Sequence, residues 1–143
     1  MKLISKFFFP LFLVAILFLL ISGNLLSRSP FVIALQILAL GLGIWARRTF
    51  QSGQFSTGAE TKEAQLLRTG PYQFIRHPIY AIVLILLWSS VLGHPSLLTV
   101  VVSVIMTGVT IIRLVTEEEF LRERYPDYSE YSRKTKRIIP FIF

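Results

Sequence analysis

The chain has 143 residues, of which 53% are hydrophobic and only 16% are charged. Ordinary soluble domains carry about 25% charged residues, and a chain this short cannot hide so much apolar surface from water. The composition therefore excludes a typical soluble enzyme, and it excludes a disordered chain, which needs low hydrophobicity. The net charge is +7, and there is no cysteine, which excludes disulfides, Cys-ligated metals and thiol nucleophiles.

Four apolar stretches predict four transmembrane helices, at residues 7–26, 31–46, 79–92 and 97–115. A helix needs about 20 apolar residues to cross a bilayer. The first and last stretches are long enough, whereas the middle two must borrow flanking residues or cross a locally thinned bilayer. The predicted fold class is an all-α integral membrane protein. Residues 1–143 then form a single multi-pass domain with a C-terminal segment, 116–143, outside the bilayer.

A secretory signal is an alternative interpretation of the first stretch, because Lys2 and Lys6 precede its apolar run. The run is long for such a signal, and Leu20 and Ile21 stand where a cleavage site requires small residues. We therefore favour an uncleaved anchor.

Basic residues predict the orientation of the four helices. The first connection carries only Arg28, and the third, 93–96, carries no charge. The N-terminus, the second connection and the C-terminal tail carry the rest. Basic residues collect in cytoplasmic loops, so both termini and the second connection are predicted to be cytoplasmic. Any active site then lies on that face, formed by the second connection, 47–78, and the C-terminal segment.

The second connection ends in a group of residues whose side chains are suited to binding or catalysis. Pro78 suits the first position of the third helix, and Arg76 and His77 come just before it. The unpaired N–H groups and positive dipole of a helix start suit an anionic group. The alternative is that Arg76 is a topological anchor, and that Tyr72 and Tyr80 are aromatic residues of the membrane interface.

Charges also lie at the end of the fourth apolar stretch. Arg113 and Glu117 are four residues apart, so they share one helical face. Charges near the end of a membrane helix usually face the bundle and mark a functional site, although a snorkelling arginine above a solvated acidic end is the alternative. Glu118 and Glu119 are predicted to point away from that face, towards solvent.

The rest of the C-terminal segment predicts contacts with lipid. Tyrosines at 125, 128 and 131 predict an amphipathic interfacial segment, and the basic residues at 133–137 predict attraction to anionic headgroups. The apolar end, 138–143, is predicted to dock on the protein or the bilayer.

His94 is predicted to be an ordinary turn residue. It lies on the opposite membrane face from His77, so no metal site is predicted. Without a soluble basic surface, no nucleic-acid partner is predicted either.

These motifs resemble those of the isoprenylcysteine carboxyl methyltransferases and the related membrane phospholipid methyltransferases. The resemblance covers about residues 62–143, and the first two helices match only as apolar spans. It is carried by Gly70-Pro71-Tyr72, Arg76-His77-Pro78 with Tyr80, Arg113, Glu117-Glu118 with Leu121, Tyr128 with Tyr131, and Ile139-Pro140. Two positions depart from the pattern: Ile82 stands where the family often has glycine, and Tyr125-Pro126 replaces a phenylalanine-glycine step, apparently one residue shorter.

The resemblance implies an integral membrane enzyme that uses S-adenosylmethionine to methylate the carboxylate of a lipophilic substrate, such as a prenylated cysteine. It implies that Arg113 is catalytic and holds the substrate carboxylate, and Arg76 is assigned to catalysis beside it. The implied cofactor-binding residues are Leu66, Leu67, Tyr72, His77, Pro78, Ile79, Tyr80 and Glu117, with the two leucines lining the adenine pocket. Two alternatives stay open: N-methylation of a phospholipid or other lipid amine, with His77 or Glu117 as a base, and a non-catalytic membrane protein.

Overall fold

The computed structural model of the chain describes residues 2–49 and 66–139, with side chains from residue 8 onward. In these ranges the chain is all-helical apart from one isolated parallel bridge between Ile75 and Lys136. The helices are α1 (Lys2–Ile21), α2 (Pro30–Thr49), a 3-10 helix (Gly70–Gln73), α3 (Pro78–Gly93), α4 (Leu97–Arg124) and α5 (Tyr128–Lys134). The predicted all-α class is confirmed for this part of the chain. Residues 50–65 of the predicted second connection and residues 140–143 of the predicted apolar tail lie outside the described residues.

Helix α1 ends at Ile21, so the prediction that the first helix extends to residue 26 is wrong. The reason is Gly23, whose φ of +71° is one that L side chains rarely adopt. The N–H of Asn24 bonds to the carbonyl of Leu19, and that of Gly23 to the carbonyl of Leu20. This pair of bonds is the Schellman arrangement, in which a left-handed glycine satisfies the last helical carbonyls.

Two described helices, Pro30–Thr49 and Leu97–Arg124, are long and apolar enough to cross a membrane, and two shorter apolar helices cover Phe8–Ile21 and Pro78–Gly93. Large apolar side chains lie exposed on the outside of the long helices, for example Leu40 at 63% and Ile105 at 58%. Extended apolar surface of this kind marks contact with a membrane or a partner.

Helix α4 begins at a capping box. Ser96 accepts a hydrogen bond from the N–H of Thr99, and Thr99 Oγ1 accepts one in return from the N–H of Ser96. The helix then continues without a break to Arg124. The apolar stretch predicted at 97–115 is therefore only its first part, and Arg113 and the acidic residues after it lie on one rigid element.

The four long helices alternate in direction, so that their termini meet at two ends. At one end Ser90 donates to the carbonyl of Asn24, and His94 lies 2.7 Å from that of Leu26. Gly93 is close enough to the neighbouring turn that an added Cβ would come within 2.7 Å of Ser27. We call this the turn end, because the connections 22–29 and 94–96 meet there.

The opposite end gathers the start of α1, the end of α2, the start of α3 and the C-terminal half of α4, and we call it the charged end. Gly70 starts the 3-10 helix there with φ +59°, and an added Cβ would lie 2.1 Å from Oγ1 of Thr49 at the end of α2. Only glycine satisfies both the conformation and the close approach. Trp45 and Phe74 are also in ring contact, at 6.3 Å between centroids.

Candidate active site

The start of α3 follows the sequence prediction: Pro78 is its first residue and His77 its N-cap. The N–H groups of Arg76 and His77 bond to the carbonyls of Lys136 and Arg137, at 2.7 and 3.0 Å. These backbone donors are therefore occupied by the C-terminal segment. Pro78 has no N–H group, so the first N–H groups of the helix are those of Ile79 and Tyr80. The first N–H groups of any helix have no partner inside that helix.

Three polar side chains meet where α3 and α4 approach each other at the charged end. Arg113 Nε donates to the hydroxyl of Tyr80 at 2.7 Å, and that hydroxyl donates to Oε2 of Glu117. Arg113 and Glu117 therefore share a helical face, as their spacing predicted, and Tyr80 links them. Arg113 is only 9% exposed, so this charge faces the bundle and does not snorkel to water.

Two aromatic side chains of α1 complete the surroundings of Arg113. Its guanidinium carbon lies 5.0 Å from the ring centroid of Phe8 and 5.7 Å from that of Phe9. Phe8 is 1% exposed and also packs edge-on against Tyr80, at 5.3 Å and 78°. Sequence reasoning missed both residues. Aromatic residues in an apolar helix carry no signal beyond hydrophobicity, and the resemblance treated this helix only as a span.

Glu118 forms a second cluster behind the first. Its side chain is 3% exposed and accepts from Arg76 Nε at 2.9 Å and from Arg137 Nε at 3.1 Å. The more exposed Arg122, one turn on, lies 3.7 Å away. The prediction that Glu118 points to solvent is wrong, because the tail returns and brings Arg137 over the helix. Glu119 is exposed, as predicted.

Arg76 is engaged on every side. Besides Glu118, its Nη1 atom donates to the carbonyls of Ser132 and Thr135, at 2.8 and 2.5 Å. These carbonyls belong to the end of α5 and the residues just after it, so Arg76 ties the C-terminal segment to the start of α3. The Nε and Nη1 atoms of this guanidinium are therefore held by protein acceptors.

His77 lies between the two clusters. Its ring stacks on Tyr80, with centroids 5.3 Å apart and planes 21° apart. Its Nε2 atom lies 3.4 Å from Oε1 of Glu118, yet the contact does not meet hydrogen-bond geometry, and this buried nitrogen has no hydrogen-bond partner among the described residues. A buried ring nitrogen that lacks a partner is suited to a ligand or a proton.

Tyr72 is buried below this group, and Tyr131 of α5 donates to its carbonyl at 2.7 Å. Burial, and after it the charge of Glu117, raise the pKa of the Tyr72 hydroxyl well above its ordinary value, which places Tyr72 in the field of Glu117. Burial likewise raises the pKa of Tyr131 to about 12. Arg68 lies over the Tyr131 ring at 5.7 Å and pairs with Asp127. Both tyrosines stay neutral at physiological pH.

The remaining predicted site residues are less closely joined to this group. Leu66 and Leu67 are half-buried in the extended segment before the 3-10 helix. In the part of the chain that the structure describes, no ring contact or polar contact joins them to Tyr80. Tyr128 and Tyr131 are buried in α5, whereas Tyr125 stands outside it, so the three tyrosines do not share one helix. Pro126 disfavours a helical conformation for Tyr125, the residue before it.

A family model described as phospholipid methyltransferase matches residues 30–128. The chain belongs to this family. A search of curated proteins finds a cobalt-zinc-cadmium resistance protein, CzcN, of Cupriavidus metallidurans, which is 27% identical over 116 residues. That match covers 78% of this chain and 50% of the relative, so the chain spans about half the length of the curated relative. The described residues contain no group of three His, Cys, Asp or Glu side chains that could hold a metal ion.

The phospholipid methyltransferase match includes the whole of α3 and α4, and with them Tyr80, Arg113, Glu117 and Glu118. The aromatic pair of α1 and the tail residues that contact Arg76 lie outside it. The family is described as one of phospholipid methyltransferases, and methyltransferases of this family generally use S-adenosylmethionine.

The residues present fit that cofactor. S-adenosylmethionine offers a flat base, ribose hydroxyls, an amino-acid end and a sulfonium cation. The unpartnered Nε2 atom of His77 and the N–H groups at the α3 start suit the hydroxyls and the carboxylate. The carboxylate of Glu117 suits an ammonium or a hydroxyl, and the ring of Tyr80 suits a cation.

Proposed function

We propose that this chain is an S-adenosylmethionine-dependent methyltransferase that esterifies the carboxylate of a lipophilic acceptor of the isoprenylcysteine type. The observation that carries the proposal is the Arg113 guanidinium, which is buried, oriented by Tyr80 and adjacent to the start of α3. A buried guanidinium binds a carboxylate strongly because the charged hydrogen bonds form in a medium of low dielectric.

The proposal includes the membrane arrangement. A single multi-pass domain would cross the bilayer four times, at about 7–21, 31–46, 79–92 and 97–115, with both termini in the cytoplasm. The even number of antiparallel helices and the basic tail support this orientation. The charged end would then lie at the cytoplasmic interface, where a water-soluble cofactor and an acceptor held in the bilayer can meet.

In this proposal the cofactor lies along the start of α3. The residues assigned to it are Leu66, Leu67, Tyr72, His77, Pro78, Ile79, Tyr80 and Glu117. The bound cofactor supplies a methyl group activated by a positive sulfur. Glu117 and Tyr80 would orient its polar end, and the buried aromatic and apolar side chains would exclude water from the reacting atoms.

A carboxylate acceptor arrives ionised, so the protein need not remove a proton. The chain's task is to align acceptor and methyl group in line and to hold them within contact distance. Arg113 would hold the acceptor carboxylate, and the hydroxyl of Tyr80 would keep its Nε atom in place. Arg76, already bound by Glu118 and two carbonyls, is assigned a positioning role here, holding the tail against the α3 start.

The proposal predicts that Arg113→Gln lowers kcat/KM for the acceptor by about a hundredfold, as expected when one partner of a desolvated charge contact is removed. Binding of S-adenosylhomocysteine should change little. The assay uses purified protein in mixed micelles with labelled S-adenosylmethionine and an S-prenylated N-acylcysteine, and isothermal titration measures product binding. Arg133→Gln, an exposed position in α5, is the matched control. Equal activity of the two variants would remove Arg113 from the site.

N-methylation of a lipid amine is the second candidate, favoured by the description of the family and by the carboxylate of Glu117. An amine must lose a proton before attack, so His77 or Glu117 would act as the base. Incubation with phosphatidylethanolamine vesicles in place of the prenylated acid separates the two, because a methyl ester releases labelled methanol in alkali and an N-methyl group does not. A folded protein that fails to bind S-adenosylhomocysteine would indicate a non-catalytic membrane protein.

A further inference from the structure

The aromatic pair of α1 holds the two polar side chains on which the proposed acceptor site depends. Phe8 faces the Arg113 guanidinium at 5.0 Å and packs edge-on against Tyr80 at 5.3 Å. Phe9 lies against Phe8 at 5.5 Å and 83°, and 5.7 Å from the same guanidinium. One ring therefore contacts both members of the Arg113–Tyr80 hydrogen bond, and the second ring buttresses the first.

This contact addresses the main physical difficulty of the site. A guanidinium 9% exposed within an apolar helix has lost most of its hydration, and in the absence of compensation its charge is costly. Aromatic faces attract the cation without neutralising it and without offering a hydrogen-bond acceptor. The two phenylalanine rings thus hold the guanidinium in place beside Tyr80.

We propose that Phe8 and Phe9 are positioning residues for the acceptor, which act by orienting the Arg113 guanidinium, so that α1 is part of the acceptor site. The inference rests on the proposed function and deepens it, because it assigns recognition of the anionic acceptor to an arginine held by cation–π contacts. Neither residue lies within the family match at 30–128. Specificity for a carboxylate acceptor over a cationic one would follow, because the rings hold a cation at the acceptor site.

The first test replaces Phe8 by leucine, which keeps an apolar side chain and removes the π face. We expect KM for the S-prenylated N-acylcysteine to rise about tenfold, which is the scale of one desolvated cation–π contact. The dissociation constant for S-adenosylhomocysteine should stay within about twofold of the wild-type value, because the change affects only the acceptor site. Phe12→Leu is the matched control, since Phe12 lies one turn along α1 and packs on the same apolar core. Equal KM values for the two variants would overturn the proposal.

A graded series at Phe9 keeps the proposal testable if Phe8→Leu folds poorly. Phe9 is only partly buried, so other side chains can be accommodated there. Tryptophan is the strongest cation–π partner and leucine has none, so KM should rise in the order Trp, Phe, Leu. A purely structural role predicts that the Trp variant, which overfills the site, is no better than the Leu variant, and that order would refute the inference.

A spectroscopic measurement separates this inference from the proposed function. In protein labelled with ¹⁵N-arginine, the Nε–H resonance of Arg113, assigned by its loss in Arg113→Lys, should move on Phe8→Leu because the ring current is removed. It should stay in place on Phe12→Leu. A shift confined to Phe8→Leu without methyl transfer by wild type refutes the proposed function but keeps the positioning role. An unmoved resonance with an active wild type refutes the positioning role alone.

Discussion

The two ends of the helical bundle bury polar groups in different ways. At the turn end the donors are neutral: Gln36 bonds to the carbonyl of Leu25 at 2.7 Å, and Ser90 to that of Asn24 at 2.9 Å. At the charged end the bonds join ionised side chains, and they connect the start of α3 to α4 and to the C-terminal tail.

The two ends also differ in what their polar groups cost. Neutral donors at the turn end each satisfy a carbonyl of the connection 22–29, and these bonds hold the two hairpins together. Buried charges are a costly way to close a fold, because apolar side chains of similar size are often as stabilising or more so. Charges retained at that cost are expected where chemistry or specificity requires them. The contrast therefore supports the proposal that the chemistry takes place at the charged end.

The largest effect on stability is expected when Glu118 is neutralised, because its carboxylate joins the start of α3 to the tail. We expect Glu118→Gln to lower the free energy of unfolding by about 3–5 kcal/mol, because removal of the carboxylate leaves the buried guanidinium of Arg76 beside a neutral amide. Denaturant unfolding in mixed micelles measures the change, and limited proteolysis reports release of the tail. The adjacent, exposed Glu119→Gln is the matched control. Similar losses in both variants would show that the ion pairs at Glu118 add nothing to stability.

The two glutamates also show how far the sequence could predict the site. Spacing along one helix correctly put Arg113 and Glu117 on a common face, and Pro78 and Gly70 correctly marked a helix start and a turn. The same spacing sent Glu118 to solvent, because helical periodicity says nothing about a tail that returns to cover the helix. The partners of Glu118 are 42 residues before it and 19 after it along the chain, and no local pattern encodes such contacts.

Phe8 was missed for a related reason. Its apolar character is equally consistent with a lipid-facing position and with a buried one, and only the packing of α1 against α3 and α4 distinguishes them. The bounds of the helices were easier to predict, since capping and breaking residues act within a few positions. Even there, the conformation of Gly23 was needed to end α1 five residues before the predicted limit, and the continuation of α4 as far as Arg124 was not predicted from the sequence.

A second prediction uses alkaline pH, to which the two ends should respond differently. Burial raises the pKa of Tyr131 to about 12, above the ordinary value of about 10 for an unfolded chain. The folded state therefore holds this proton more tightly. The stabilisation that results is present in full below about pH 10. Between pH 10 and 12 the free energy of unfolding falls by about 1.4 kcal/mol per pH unit.

Tyr131→Phe should therefore unfold more easily at pH 8, by about 1 kcal/mol, because its hydrogen bond to Tyr72 is lost. It should also lose stability less steeply than wild type between pH 10 and 12. Unfolding free energies in a pH series give both quantities. An unchanged slope would mean that Tyr131 is not protected from ionisation, and Ser90→Ala, at the turn end, should keep the wild-type slope.

The smallest combined effect on stability and activity is expected from a substitution at the turn end. Ser90 is fully buried, and its hydroxyl bonds to the carbonyl of Asn24. Ser90→Ala removes a neutral donor and leaves one carbonyl to find another partner, so the loss should be about 1 kcal/mol. Methyl transfer should be unchanged, because the two ends share no polar contact through which the loss would reach Arg113 in the described residues. A matched Ser29→Ala, at a half-buried position in the same connection, should cost less. If Ser90→Ala instead lowered kcat/KM as strongly as Arg113→Gln, the site would extend through the bundle, and the division between a closing end and a chemical end would fail.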